Sequence, residues 1–119
     1  MTAHRHRPER VAALIQETLA EALTTRVKDP RVGFVTVTGV DVASDYSVAT
    51  VGVSVLGDEE EKAQAMEGLD SASGFLRSLL ARTLTLRTTP ELRFVLDRGI
   101  EHAARINRIL DDLNAGTDS

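Results

Sequence analysis

Apolar positions recur at helical spacing near the start of the chain. Val11, Leu14, Ile15, Leu19, Ala22 and Leu23 make one stripe that runs to about Thr25. Pro8 stands where the first turn of a helix tolerates a missing N–H, and Pro30 forbids continuation. The pattern predicts a helix, then a loop written Lys28-Asp29-Pro30-Arg31-Val32-Gly33. Over 34–55 the period changes to that of two strands, rich in Val and Thr, with a turn near Ala43-Ser44-Asp45. Val35 and Val37 share one parity, Val40 and Val42 the other; Tyr46 and Val48 differ in the same way from Val51, Val53 and Val55. A hairpin pairing 37 with 51 and 40 with 48 would align the two breaks, with Gly39 supplying a bulge.

A second helix opens at Asp58–Glu61, whose carboxylates suit the positive end of a helix dipole. Ala63, Ala65, Met66 and Leu69 give it a weak apolar face, and Phe75, Leu76, Leu79, Leu80 and Leu84 a stronger one. Between them lies Ser71-Ala72-Ser73-Gly74, with three poor helix formers in four positions, which predicts a kink that divides the helix. Thr88, Thr89 and Pro90 end the region, and Leu92–Leu96 reads as a third strand. Residues 98–113 are again helical, with Ile100, Ala103, Ile106 and Leu110 placed to pack. The order α-β-β-α(kink)α-β-α predicts an α+β fold, a three-stranded sheet packed by helices. Residues 1–6 are expected to be a flexible N-terminus, 7–113 a single domain and 114–119 a polar tail.

The 119 residues, 42% hydrophobic, suit one globular domain. With no cysteine there is no disulfide framework or thiolate site. No run is long and apolar enough to span a membrane, and the N-terminus is no secretory signal, so a cytoplasmic location is expected. The net charge of −4 argues against nucleic acid until its distribution is considered. Residues 1–31 and 72–98 are net basic, by +2 and +3, and flank an acidic middle. Most of the cations are arginines, whose planar fork matches phosphate.

Catalytic chemistry finds little support. His4-x-His6 lies at the chain end with no carboxylate cluster nearby, His102 is expected to face solvent, and Asp58–Glu61 is explained by the helix start. Ser71 and Ser73 lack a histidine partner, and there is no Walker-type glycine loop. The chain is therefore read as a non-enzyme without metal or cofactor. A small metal-dependent hydrolase using His4, His6 and carboxylates is the alternative of another class. Aromatics make up only 3%, which argues against a strand-borne stacking platform. Recognition would instead use arginines and the helix start after the kink, where Gly74 lets a phosphate approach and Arg77 lies one turn beyond. Replacing Arg77 is expected to weaken binding with little change in thermal stability. Arg93, between Leu92 and Phe94, is expected to serve the fold through a carboxylate neighbour.

Five motifs then carry a resemblance: Arg7-Pro8-x-Arg10-Val11-Ala12, Lys28-Asp29-Pro30-Arg31-Val32-Gly33, Val53-Ser54-Val55-Leu56-Gly57, Ala72-Ser73-Gly74-Phe75-Leu76-Arg77 and Leu86-Arg87-x-x-Pro90-Glu91-Leu92-Arg93-Phe94. In this order and spacing, from about residue 7 to residue 97, they resemble the ribosome-binding factor A family. The resemblance implies a type II KH-like fold in which a kink, here Ala72-Ser73-Gly74, replaces the usual Gly-x-x-Gly clamp. It also implies a monomer that binds free 30S subunits and 16S rRNA and supports late maturation and rRNA processing. Growth in the cold and contact with other assembly factors, GTPases among them, belong to the same expectation. A general KH-like RNA-binding module is the nearer alternative. The residues expected to meet RNA are Arg7, Arg10, Lys28, Arg31, Ser73, Gly74, Arg77, Arg82 and Arg87, with the kink at Ser71, Ala72, Ser73 and Gly74. Thr50 stands where the family commonly has Lys, and the hairpin tip Val42–Tyr46 also departs from its pattern.

Overall fold

The computed structural model describes residues 8–97. Arg7, the three histidines, the expected last helix and the polar tail lie outside the described residues. Helix α1 runs Pro8–Thr25 and buries Val11, Ala12, Ile15, Leu19, Ala22 and Leu23. Leu14, expected in that stripe, is 39% exposed, because Ala12 rather than Leu14 borders the buried side. A 3-10 turn, Pro30–Val32, follows, capped by the Asp29 side chain, which accepts from the Arg31 N–H.

Strands β1 (Val35–Val42) and β2 (Val48–Val55) pair antiparallel, and β3 (Glu91–Leu96) adds to the far side of β2 in parallel, giving the order β1-β2-β3. A parallel neighbour needs a crossover connection, and helix α2, Glu59–Thr83, supplies it. The bulge stands where Gly39 suggested, between Val37 and Gly39. The pairing is corrected: Val37 meets Val53 and Val40 meets Val51. Only β1 changes parity. In β2 the residues Ala49, Val51 and Val53 all face the core, so Ala49 holds the inward position and Val48 lies on the other face. The hairpin turn closes through Tyr46 N–H to Ala43 C=O at 2.8 Å and leaves Tyr46 at φ 62°. Asp45 steadies it by accepting from the Ser47 N–H and Oγ, which hold its carboxyl below the usual carboxylate range.

The acidic run is a helix start, as its composition suggested. Asp58 caps α2 and forms a capping box with Glu61. The helix then continues unbroken for 25 residues, through Ser71–Gly74, so the expected division into two helices is corrected. Leu69 and Leu76, both fully buried on either side of the segment, anchor the helix to one core and outweigh the poor local propensity. What the segment retains is the Ser73 hydroxyl donating back to the Asp70 carbonyl at 2.7 Å.

Both helices pack on one face of the sheet. Their apolar sides meet Val37, Val42, Ala49, Val51, Val53, Leu92 and Phe94 in a single core. The other sheet face carries Thr36, Thr38, Asp41, Arg93 and Val95 to solvent. The described order, α-β-β-α-β in an α+β fold, is that of the type II KH-like expectation through its third strand.

Candidate nucleic-acid interface

The end of α1 releases the chain at Thr25, and the next residues, Arg26 and Lys28, are exposed. Phe75, on the exposed side of α2, is 44% exposed and joins Thr25, Arg26 and Lys28 in lining one shallow concavity. Ser71, Gly74, Ser78 and Arg82 are also exposed. At about 100° per residue Ser71, Ser78 and Arg82 fall on the same side of the helix as Phe75 and Gly74 about a quarter turn away, so Arg82 extends this face toward the helix end. The charge of α2 divides here. Its first half carries Glu59, Glu60, Glu61, Glu67 and Asp70, whereas residues 71–90 hold no carboxylate.

Arg31 lies at the edge of this region in a fixed arrangement. Its Nε and Nη2 donate to the Asp29 carboxylate at 2.6–3.0 Å, and its Nη1 lies 3.9 Å from Glu67. The guanidinium holds the Asp29 carboxyl below the usual carboxylate range, chiefly through these hydrogen bonds. Close packing explains the fixity. A Cβ built on Gly68 of α2 would meet Val32 Cγ1 at 3.0 Å and Arg31 Cβ at 3.2 Å, so this glycine lets the 3-10 turn lie directly on the helix. Gly68 carried no signal in the sequence, since only the folded chain brings it to Val32.

Arg77 has a structural task. Its Nη2 donates to the Thr89 carbonyl at 2.8 Å, and its Nε to Thr89 and Pro90 carbonyls at 3.3 Å. It thereby ties α2 to the entry of β3. These bonds weigh against the expectation that its replacement changes thermal stability little. Arg93 also differs from its expectation, since it makes no ion pair among the described residues.

The remaining candidates are dispersed. Arg10 lies exposed in the first turn of α1, about 24 Å along the helix axis from Arg26. Arg87 is exposed in the segment between α2 and β3. Gly74 faces open space, with nothing within 4 Å of a Cβ built on it, so a backbone approach there is unobstructed. Ser73 is half-buried, its hydroxyl engaged by Asp70. The structure thus brings Lys28 to Phe75, leaves Gly74 and Arg82 exposed elsewhere on α2, sets Arg31 and Arg77 in internal contacts, and leaves Arg10 apart. Arg26 and Phe75, absent from the sequence-based set, join the cluster. Among the described residues no group of His, Asp or Glu is arranged to hold a metal, and no helix is long and apolar enough to cross a membrane.

Comparison with known proteins agrees with this fold. The family model for ribosome-binding factor A matches residues 7–110. A ribosome-binding factor A of Desulforamulus reducens is 42% identical over 110 residues, 92% of each chain. The crystal structure of ribosome-binding factor A from Thermus thermophilus superposes with a TM-score of 0.70 at 31% identity, over 79% of this chain and 100% of that one. A homology model of the Thermus thermophilus factor, fitted into a cryo-EM map of a 30S complex, matches with a TM-score of 0.63 at 32% identity, over 76% of this chain and 94% of that one. The chain belongs to the ribosome-binding factor A family.

Proposed function

We propose that the protein is a non-enzymatic assembly factor that binds free 30S subunits through 16S rRNA and assists late 30S maturation and 16S rRNA processing. The observation that carries this reading is the family match over residues 7–110, supported by a relative fitted to a 30S complex at 32% identity. The acid-free second half of α2 with Arg26 and Lys28 beside it suits the same role, because phosphate neutralisation dominates the affinity of such contacts. Arg10, Arg82 and Arg87 are exposed and extend the positive surface beyond the cluster. The protein acts as a cytoplasmic monomer, alongside other assembly factors that include GTPases, and its loss tells most in the cold. Sedimentation of a cell extract through a sucrose gradient tests the central point. The protein should travel with free 30S subunits and leave translating ribosomes bare, and cells without it should accumulate 16S precursor. A general RNA-binding module would instead spread over all RNA-containing fractions, and that distribution would overturn the reading.

A further inference from the structure

We propose that Phe75, Arg26 and Lys28 form a subsite for one unstacked nucleotide of single-stranded RNA, with the base lying on the Phe75 ring and a flanking phosphate on the two cations. This rests on the proposed binding of rRNA and specifies what part of an RNA the surface takes. Three observations converge on it. The ring is 44% exposed on a helix whose leucines, Leu69, Leu76, Leu79 and Leu80, are all buried, so a flat apolar surface is presented where the core does not require one. It shares its concavity with two cations from a different segment, the chain just after α1, and neither makes an ion pair among the described residues. No carboxylate among the described residues lines the concavity. Residues 71–90 contain no carboxylate, and the nearest acid in sequence to Lys28, Asp29, is neutralised by the Arg31 guanidinium at 2.6 Å.

The chemistry of RNA accounts for this combination. A paired base in an A-form helix offers no free face, whereas a base in a loop or single strand can leave its neighbours and stack on an aromatic side chain. Such stacking is tolerant of sequence, since every base has a π-face. Cations beside the ring hold the backbone that carries the base, and they do so with the salt dependence of counterion release. Gly74, next to Phe75 and open to solvent, leaves room for the sugar and phosphate to lie along the helix. The subsite thus selects unpaired over duplex RNA, a distinction that arginines alone would not make.

The chain contains no tryptophan, so Phe75→Trp introduces a single emission reporter at the site. In the full-length protein its fluorescence should be quenched by a short single-stranded RNA of mixed sequence, and far less by the same RNA annealed to its complement. Phe75→Leu keeps an apolar side chain without the π-face. It should bind the single strand about tenfold more weakly than the parent, with the salt slope and melting temperature unchanged. The pair Arg26→Gln and Lys28→Gln should instead flatten the salt slope, by about one for each phosphate no longer neutralised. Equal quenching by duplex and single strand, or parental affinity in Phe75→Leu, overturns the subsite. Co-sedimentation of the parent with free 30S subunits judges the broader role separately, since a protein that contacts the subunit without using Phe75 would pass that test and fail this one.

Discussion

Gly68 and Gly74 lie on the same helix under different constraints. At Gly68 an added methyl meets Val32 and Arg31 within 3.2 Å, so Gly68→Ala requires the side chains of the 3-10 turn to give by a few tenths of an ångström. The cost of such overpacking is about 1–3 kcal/mol against a gain in helix propensity of about 1 kcal/mol, so Gly68→Ala should destabilise unless the turn gives. At Gly74 the methyl meets nothing, so Gly74→Ala should stabilise by about 0.5–1 kcal/mol. Urea denaturation of the two variants should therefore move in opposite directions, and equal stabilisation would show that the turn yields freely. If Gly74→Ala also weakens binding to 30S subunits, the glycine is kept for the approach of RNA at the expense of stability.

Asp29 makes a second point at this scale. Its carboxyl is held below its ordinary value of 3.8, first by the Arg31 side chain and then by the Arg31 N–H. A depressed folded value means that the stabilisation is complete above the unfolded value and is lost as pH falls through the folded one. Loosening of the Pro30–Val32 turn is thus expected only in acid below the ordinary carboxylate range. A carboxyl-carbon NMR titration should show Asp29 ionising below its ordinary value in the parent and returning toward it in Arg31→Ala. No change on that substitution would remove the guanidinium as the cause.

At the scale of elements, the sequence was most readable where local pattern and tertiary demand agree. The α1 stripe and the Asp58–Glu61 start are of this kind, and Asp58→Ala should cost about 1 kcal/mol through loss of the cap. A urea midpoint that does not move would mean the box is redundant with burial further along the helix. The hairpin was half legible. The parity change of β1 announced its bulge, but the register depended on a turn centred on Tyr46 in a left-handed conformation, which no bulky residue advertises. The Ser71–Gly74 segment was misread for the opposite reason. Local propensity favoured a break there, whereas Leu69 and Leu76 on either side are buried in one core and hold the helix continuous.

For the molecule as a whole, the α+β class and the order of elements followed from the alternation of periods, while the site did not. Arg26 and Phe75 are separated by two strands and half a helix, and only the packing of α1 beside α2 makes them neighbours. Arginine counting could find positive charge but not which guanidinium the fold had already claimed. Arg77 is the clearest case, since its hydrogen bonds to Thr89 and Pro90 depend on where β3 returns to the sheet.

That return has a kinetic consequence. The β1–β2 pairs close short loops, but each β2–β3 pair joins residues roughly forty apart in the chain. Loop-closure entropy favours forming the hairpin with its helices first and docking β3 late, after the transition state. The Arg77 latch then belongs to the part of the molecule that leaves earliest during unfolding. Arg77→Met should remove about 1 kcal/mol of stability and appear almost wholly as an unfolding rate raised about fivefold, with the refolding limb of the chevron unmoved. A refolding rate slowed by the same factor would place β3 in the folding nucleus instead.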